Sequence, residues 1–300
     1  QRVAIDTIEL NRIPMVNPMK LNVGFVSTRF AGIDGVSMES SKWARVFEDE
    51  GHACFWFAGE LSKSELISLQ ARQANFKDDQ NQWINDQLFG THKKSLRLAR
   101  IICNYKSTIA SRLKLFIDMY RLDLLVVENA LAIPMHIPLG LALADVIAET
   151  GIPTIAHHHD FYWERDRYLP LNGSKIYIHR AFPPRLPNIE HVVINSRARA
   201  NLARLRGIRA TVIPNVLDFE NAPSEDKERN HAFRHSLGLK PDDMMLLQPT
   251  RIVERKGIEA AIQLVKALNH PRYKLVVSHE AGDEGFEYAS KIKRLARESG

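Results

Sequence analysis

Short apolar runs that alternate with segments of helical spacing constrain this chain more than any other feature of its sequence. The runs at 21–27, 52–59 and 123–129 are largely apolar throughout, and helical patterns such as 36–51 follow them. A strand that is apolar on both faces is buried on both faces, which requires a parallel sheet with helices on each side. The sequence therefore predicts an α/β fold made of doubly wound, Rossmann-like parallel sheets.

The same rhythm predicts how the chain is divided. Residues 1–18 lack periodicity, and we expect an extension that is disordered or non-native and ends before an initiator at Met19. An N-terminal Rossmann-like domain is predicted over 19–215, a polar linker with a short helix over 216–242, and the start of a second Rossmann-like domain over 243–300. The last part has roughly half the length of a typical domain, so we expect it to be truncated.

Composition narrows the class of protein. The 300 residues are 45% hydrophobic and 25% charged, as in ordinary soluble globular proteins. No apolar run reaches the ~20 residues of a membrane span, and no signal-peptide pattern opens the chain, so we expect a cytoplasmic protein. Two cysteines, Cys54 and Cys103, cannot form a disulfide framework, and we predict that both are buried thiols.

Much of the net charge of +6 lies in the basic segment 93–121. Its apolar residues follow helical spacing, which favours a solvated helix that covers a core. Peripheral docking to a membrane surface or an acidic partner is the alternative. No recognition motif accompanies the charge, so nucleic-acid binding is not expected, and the sequence does not indicate an oligomeric state.

Four polar segments lie where ligands bind to parallel sheets, beyond the carboxyl ends of strands, and a cluster of histidines is one of them. The loop between Gly32 and Gly35 precedes a helix whose amino terminus favours anions. A plain tight turn explains it equally well, and the third glycine of the dinucleotide fingerprint is missing. Arg251 and Lys256 flank a turn from strand to helix, where they would stabilise a departing diphosphate or be ordinary solvated charges. Glu128 and Asn129 end another strand.

Three consecutive histidines end a further predicted strand. Alternate side chains of a strand point to opposite faces, so His157 and His159 share one side and His158 points to the other. The three therefore cannot all bind one metal from a regular strand, and we expect no metal site. His158 fits a core residue bonded to backbone. His159 and Asp160 are placed to face a cleft, with the aromatic residues 161–163 as walls for a sugar.

In this order the segments resemble glycosyltransferase family 4, retaining enzymes with the GT-B fold, in which two Rossmann-like domains face each other across a cleft. The resemblance runs from Leu21 to the end of the chain. It rests on "DGVSMESSKWARVFEDEGH", "IPTIAHHHDFYW", "VVINSRARANL" with "TVIPNVLDF", and "TRIVERKGIEAAI".

The resemblance implies a function and roles for residues. The full-length parent is expected to be a hexosyltransferase that moves a sugar from a nucleotide-diphosphate sugar to a hydroxyl of a sugar or small polar acceptor. It is also expected to retain the anomeric configuration and to need no metal or other cofactor. Gly35, Arg251 and Lys256 would bind the donor, and His159 and Asp160 would be catalytic.

Charged residues beside the aromatics favour a small polar acceptor, anionic in the manner of a sugar acid or a phosphate. The alternatives are that these charges only pair with one another, and that a lipid-linked acceptor uses the basic segment 93–121. The predicted acceptor-binding residues are Asn129, Tyr162, Trp163, Glu164 and Arg165.

The chain also departs from the family pattern. Thr250 stands in place of a glycine, and the family's pair of glutamates eight positions apart would lie beyond Gly300, so the 300-residue chain is expected to lack half of its donor site and to be inactive by itself. Two other functions stay open. One is a Rossmann-type oxidoreductase, for which Glu60 is the only candidate ribose ligand. The other is a non-catalytic module that binds a sugar or nucleotide.

Overall fold

A computed structural model describes residues 20–32, 34–90, 95–169, 173–217, 226–281 and 286–299. Contacts between residues divide the chain into two units, the first ending at Leu217 and the second beginning at Asp218. The predicted extension over 1–18 lies outside the described residues.

The strands of the first unit are short and parallel. They are β1 (Asn22–Val26), β2 (Arg29–Phe30), β3 (Ala53–Ala58), β4 (Glu60–Leu61), β5 (Ser68–Gln70), β6 (Leu124–Glu128), β7 (Thr154–His158), β8 (Ile189–Val193) and β9 (Thr211–Val212). Among the described residues, seven of them form one sheet in the order β5-β3-β1-β6-β7-β8-β9, and β2 pairs with β4.

Helices connect the strands of this sheet. They are α1 (Gly35–Asp49), α2 (Asp79–Asn85), α3 (Leu96–Tyr120), α4 (Ile137–Thr150), α5 (Lys175–Ala181) and α6 (Ser196–Arg206). Alternate residues of β1 bury their side chains in opposite layers. Val23 and Phe25 pack with Ala44 of α1, whereas Val26 packs with Phe116 of α3. This burial on both faces confirms the predicted doubly wound parallel sheet.

Gly24 allows the sheet and its covering helix to pack closely. A Cβ atom at this position in the middle of β1 would overlap the side chains of Leu122 and Phe116. The end of α3 therefore lies directly on the backbone of the central strand, and a larger residue would force the two apart.

Residues 96–120 of the basic segment form α3, which covers the core as the sequence predicted. Ile109, Leu113 and Phe116 are fully buried, and the opposite face of the helix carries its charge. Two lysines of α3 pair with α4, Lys106 with Asp145 at 2.6 Å and Lys114 with Glu149 at 2.7 Å. Within the described ranges, no helix has both the length and the apolar content to cross a bilayer. Contact with a membrane surface stays a prediction.

The two cysteines differ in burial. Cys54 lies in β3 and is buried, and this burial together with the nearby Glu48 raises the pKa of its thiol to about 12. Cys103 is exposed on α3, so the prediction that it is buried was wrong. The reason is its helical position next to Ile102, which faces the core and turns Cys103 toward solvent.

The second unit repeats the order of strand and helix. Its elements are α7 (Lys227–Ser236), β10 (Met244–Arg251), α8 (Ile258–Leu268), β11 (Tyr273–His279) and α9 (Phe286–Ser299). The strands β10 and β11 pair in parallel, and Ile258, Ile262 and Ile292 form a small core between α8 and α9.

His136, His158 and His191 of the first unit are buried in surroundings that favour the neutral ring. His136 caps α4, where its Nδ1 accepts from the N–H of Leu139 and its Nε2 donates to the carbonyl of Gln73. His158 Nε2 lies 2.9 Å from His191 Nδ1. Burial lowers the pKa of His136 and of His191 to about 4 and that of His158 well below its usual value. His158 is thus a core residue as predicted, but its partner is an imidazole and not the backbone.

We expect the free energy of unfolding to fall as the pH drops from 6.5 toward 4. In the unfolded chain these histidines bind protons near pH 6.5, whereas in the folded protein their rings stay neutral. Each histidine therefore stabilises the folded state above pH 6.5, and its contribution to the free energy of unfolding falls by about 1.4 kcal/mol per pH unit below that pH. Urea denaturation across this range measures the effect. His136→Gln keeps a donor and an acceptor but cannot titrate, so its stability should depend less steeply on pH. The exposed His179→Gln is the control, and equal slopes in the two variants would contradict the assignment.

Candidate active site

The carboxyl end of β7 carries the three histidines. His157 is fully buried, and its ring stacks on Trp43 of α1 with 4.4 Å between the ring centroids. His158 points to the opposite face, toward β8. His159 follows the strand, with 13% of its side chain exposed. The predicted alternation, with His157 and His159 on the same side, is confirmed.

A buried carboxylate joins two of these imidazoles. Glu128 is the last residue of β6 and lies opposite His157 in the pairing of β6 with β7. Its Oε2 accepts one hydrogen bond from His157 Nδ1 and another from His159 Nε2, each 3.1 Å long. The sequence placed Glu128 at a strand end but did not indicate a role for it. A charged residue that ends an apolar strand was the signal that could have identified it.

These bonds fix the tautomers of the two rings. A carboxylate only accepts, so His157 Nδ1 and His159 Nε2 carry the protons. His159 Nδ1 is then an acceptor, and the side-chain amide of Asn215 lies 3.4 Å from it. On the side away from Glu128, His159 therefore presents a lone pair and not an N–H.

Glu128 stays ionised despite its complete burial. Burial would raise the pKa of Glu128, but its hydrogen bonds with His157 and His159 outweigh that effect and hold its pKa below the usual value. Within the described part of the chain, Glu128 Oε1 and His157 Nε2 are buried without a hydrogen-bond partner. The negative charge is thus compensated mainly through Oε2.

The same three side chains are the described group that could hold a metal ion. Their ligand atoms lie within 4.8 Å of one another, and carboxylate with imidazole suits zinc. A cation at this position would replace both bridging protons and place a proton on His157 Nε2, which is buried without an acceptor among the described residues.

Asn129 holds the backbone after β7 in place. It has a φ of 60°, in the left-handed region that asparagine tolerates better than most residues. Its Oδ1 accepts from the N–H of His159 at 3.1 Å, and its Nδ2 donates to Asp160 Oδ1 at 3.0 Å. Asp160 also pairs with Arg165, whose Nε donates to Asp160 Oδ2 over 2.7 Å. Four of the predicted site residues, counting His159, thus form one network.

The predicted aromatic walls differ in exposure. Phe161 is fully buried and stacks on Trp163 with 4.4 Å between centroids, so it cannot face a sugar. Tyr162 and Trp163 are partly exposed. Glu164 is exposed, and its carboxylate accepts from the N–H of Phe161 at 3.1 Å. Arg165 and Glu164 thus have internal partners, and acceptor binding by these side chains stays a prediction.

The glycine loop leads into α1 at the carboxyl end of β1, next to β6. Asp34 caps the helix by accepting from the N–H groups of Val36 and Ser37, and it also pairs with Arg29 at 2.8 Å. Burial would raise the pKa of Asp34, but these bonds outweigh it and lower the pKa. Gly35 is the first residue of α1, and a Cβ there would meet open space.

In the second unit, Arg251 and Lys256 lie close in sequence at the carboxyl end of β10. Arg251 is the last residue of the strand and is paired in register with His279 of β11. Lys256 ends a 3₁₀ turn and is exposed, and its carbonyl accepts from Gln248 Nε2 at 3.0 Å. Gly257 follows with a φ of 60° and begins the turn into α8. The predicted turn from strand to helix is confirmed.

We expect nitrogen-15 NMR to show that the neutral ring of His159 carries its proton on Nε2 and not on Nδ1, because Glu128 accepts a hydrogen bond from Nε2. In Glu128→Gln the amide can donate, so the tautomers of His157 and His159 should become mixed or inverted. Glu190→Gln on the neighbouring β8 alters an exposed carboxylate and is the control. An unchanged His159 spectrum in Glu128→Gln would refute the assigned role of Glu128.

Comparisons with known proteins identify relatives of the chain. It is 32% identical to the mannosylglucosylglycerate synthase of Thermotoga maritima, over 93% of this chain and 68% of the relative. The mannosylglucosylglycerate synthase of Petrotoga mobilis is also 32% identical, over 82% of this chain and 56% of the relative. The chain thus spans about half to two thirds of the length of these relatives. No protein-family model matches the chain.

A solved structure gives the fold. The sucrose-phosphate synthase from Thermosynechococcus elongatus superposes with a TM-score of 0.61 and 13% identity, over 93% of this chain and 68% of that one. At this identity the likeness shows the GT-B fold alone, and the predicted fold class is confirmed. The chain belongs to the family of the mannosylglucosylglycerate synthases, which are nucleotide-sugar glycosyltransferases with the GT-B fold.

Proposed function

We propose that the protein transfers a hexose from a nucleotide-diphosphate sugar to a hydroxyl group of a small acidic sugar acceptor, with retention of the anomeric configuration. The supporting observation is His159, a partly exposed imidazole at the carboxyl edge of the sheet whose tautomer a buried carboxylate fixes. The product named for the two relatives contains glycerate, which supports an acceptor with a carboxylate.

In the proposed reaction, the acceptor hydroxyl attacks the anomeric carbon on the face from which the diphosphate departs. The bond from carbon to the phosphate oxygen breaks, the new glycosidic bond forms, and the hydroxyl proton passes to the departing phosphate. His159 Nδ1 accepts a hydrogen bond from a hydroxyl of the transferred sugar, which replaces the 3.4 Å contact with the Asn215 amide, and orients that sugar. This role requires a bare Nδ1, which the bond from Nε2 to Glu128 supplies.

Arg251 and Lys256 bind the donor diphosphate in this proposal. Negative charge grows on the diphosphate as its bond breaks, and a fixed cation stabilises it by about 2–4 kcal/mol. The exposed ammonium of Lys256 and the guanidinium of Arg251 at the strand end supply complementary charges. Gly35 near the donor, Asp160 as a second catalytic residue and a cytoplasmic location remain predictions of the same hypothesis.

We expect His159→Ala and Lys256→Ala each to lower the rate of transfer tens-fold or more, because each removes a contact that acts on the reacting groups. Transfer is measured with radiolabelled sugar nucleotides on the longest reading frame that contains this chain. Lys266→Ala, near the end of α8, is the matched control for the lost charge. Rates close to the parent rate in both site variants would overturn the assignment.

Titration calorimetry separates the proposal from its alternatives. A nucleotide diphosphate should bind to the parent and more weakly to Lys256→Ala, whereas NAD should not bind. Preferential binding of NAD would favour an oxidoreductase. Tight binding of nucleotide and sugar without any transfer would favour a non-catalytic module.

Treatment with EDTA should leave the transfer rate unchanged, because cationic side chains neutralise the diphosphate in the proposed mechanism. Loss of activity that zinc restores would instead make Glu128, His157 and His159 a metal site. In that case His157→Gln, which removes one of the three metal ligands, should abolish the response to zinc.

A further inference from the structure

A pocket with two lysines and three serines opens along the same edge of the sheet as His159. It has a volume of about 350 Å³ and lies beside the first half of α1, beyond the carboxyl ends of β1 and β3. The polar residues that line it are Ser37, Ser41, Lys42, Ser62 and Lys63. Its volume falls in the range of small-molecule sites, roughly 300–1,000 Å³.

The charge of Lys63 is available to a ligand in this pocket. Its Nζ lies 4.1 Å from the centre of the Trp56 ring and donates to Ser41 Oγ over 3.3 Å. Among the described residues no carboxylate lies within ion-pair distance of it. The carboxylates beside the pocket, Asp34 and Glu39, pair with Arg29 and Lys42. An ammonium has three N–H donors, so Lys63 keeps two for a ligand.

The serine hydroxyls offer the opposite kind of contact. Ser37 Oγ donates to Asp34, Ser41 Oγ to the carbonyl of Ser37, and Ser62 Oγ to the carbonyl of Phe30. Each hydroxyl has only one proton, which is used in these bonds, so toward a ligand the three serine oxygens can only accept hydrogen bonds. The pocket therefore presents ammonium donors next to hydroxyl acceptors.

We propose that this pocket binds the hydroxy-acid end of the acceptor, with the carboxylate on Lys63 and its neighbouring hydroxyls donating to the serine oxygens. A hydroxycarboxylate supplies both an acceptor of charge-assisted bonds and donors of neutral ones. The hydrogen-phosphate dianion carries a single O–H donor and would leave most of the serine oxygens without partners. The proposal rests on the proposed function and specifies the acceptor class for the same edge of the sheet.

Side-chain contacts connect the pocket to the imidazoles. Lys42 donates to the carbonyl of Val216 over 2.6 Å, and the preceding Asn215 contacts His159 Nδ1. Trp43, which follows Lys42 on α1, stacks on His157. An acceptor held by its acid in this pocket can therefore extend along the edge toward His159.

Calorimetric titration of the whole chain with D-glycerate, glycerol and inorganic phosphate tests the proposal. Glycerate should bind saturably in the millimolar range, and glycerol and phosphate at least tenfold more weakly. Lys63→Gln should weaken glycerate binding at least tenfold, and Lys63→Arg, which keeps the charge, much less. Lys77→Gln is the matched control, because Lys77 also lies over an aromatic ring, that of Phe76, but outside the pocket. Unfolding curves of each variant verify that it folds.

Three results would overturn the proposal: no saturable glycerate binding to the unsubstituted chain, equal binding to Lys63→Gln and Lys77→Gln, or phosphate binding tighter than glycerate.

Kinetics separate this proposal from the proposed function. Lys63→Gln should raise the KM for the acidic acceptor at least tenfold and leave the donor KM unchanged. Transfer with an unchanged acceptor KM overturns the pocket alone. Glycerate binding that depends on Lys63 in a protein without transfer overturns the proposed function alone.

Discussion

One buried carboxylate oxygen, Glu128 Oε2, accepts hydrogen bonds from two imidazole N–H groups. The rest of this site depends on that interaction. An ionised carboxylate without partners in a protein interior costs several kcal/mol, so Glu128 can remain charged only while both rings face it. The register of β6 and β7 places Glu128 opposite His157 and sets this arrangement. In turn, the carboxylate decides which nitrogen of His159 carries the proton. Backbone pairing thus determines the chemistry of a side chain at the sheet edge.

The order of the strands explains why residues far apart in sequence meet at this edge. In the sheet, β3, β1, β6 and β7 are neighbours, and their carboxyl ends all open on the same side. These ends bring the pocket lined by Lys42 and Lys63 to the same edge of the sheet as the imidazoles of His157 and His159. Helix α1 contributes Lys42 to the pocket and Trp43 to the stacking on His157. A parallel sheet assembles polar groups from distant segments in this way because every strand delivers its end to one rim.

The sequence predicted those features that local periodicity decides. Apolar runs located the strands, and the two-residue period of a strand correctly divided His157 and His159 from His158. The sequence could not identify the partners of these rings, because strand pairing alone brings Glu128 of β6 and His191 of β8 next to β7. The burial of Phe161 was missed for the same reason, since its stacking on Trp163 depends on how the chain turns after β7. Cys103 shows that apolar character alone does not decide which face of a helix a residue occupies.

Asn129 illustrates how narrowly one position can be specified. Its backbone is left-handed, which a glycine would also accept, but a glycine has no side chain to receive the N–H of His159. An aspartate could receive that bond, yet it would set a second negative charge against Asp160 where the amide now donates. Backbone geometry and hydrogen-bond polarity together leave asparagine as the residue type that meets both demands. Ordinary chemical similarity is therefore a poor guide to tolerance at this corner of the molecule.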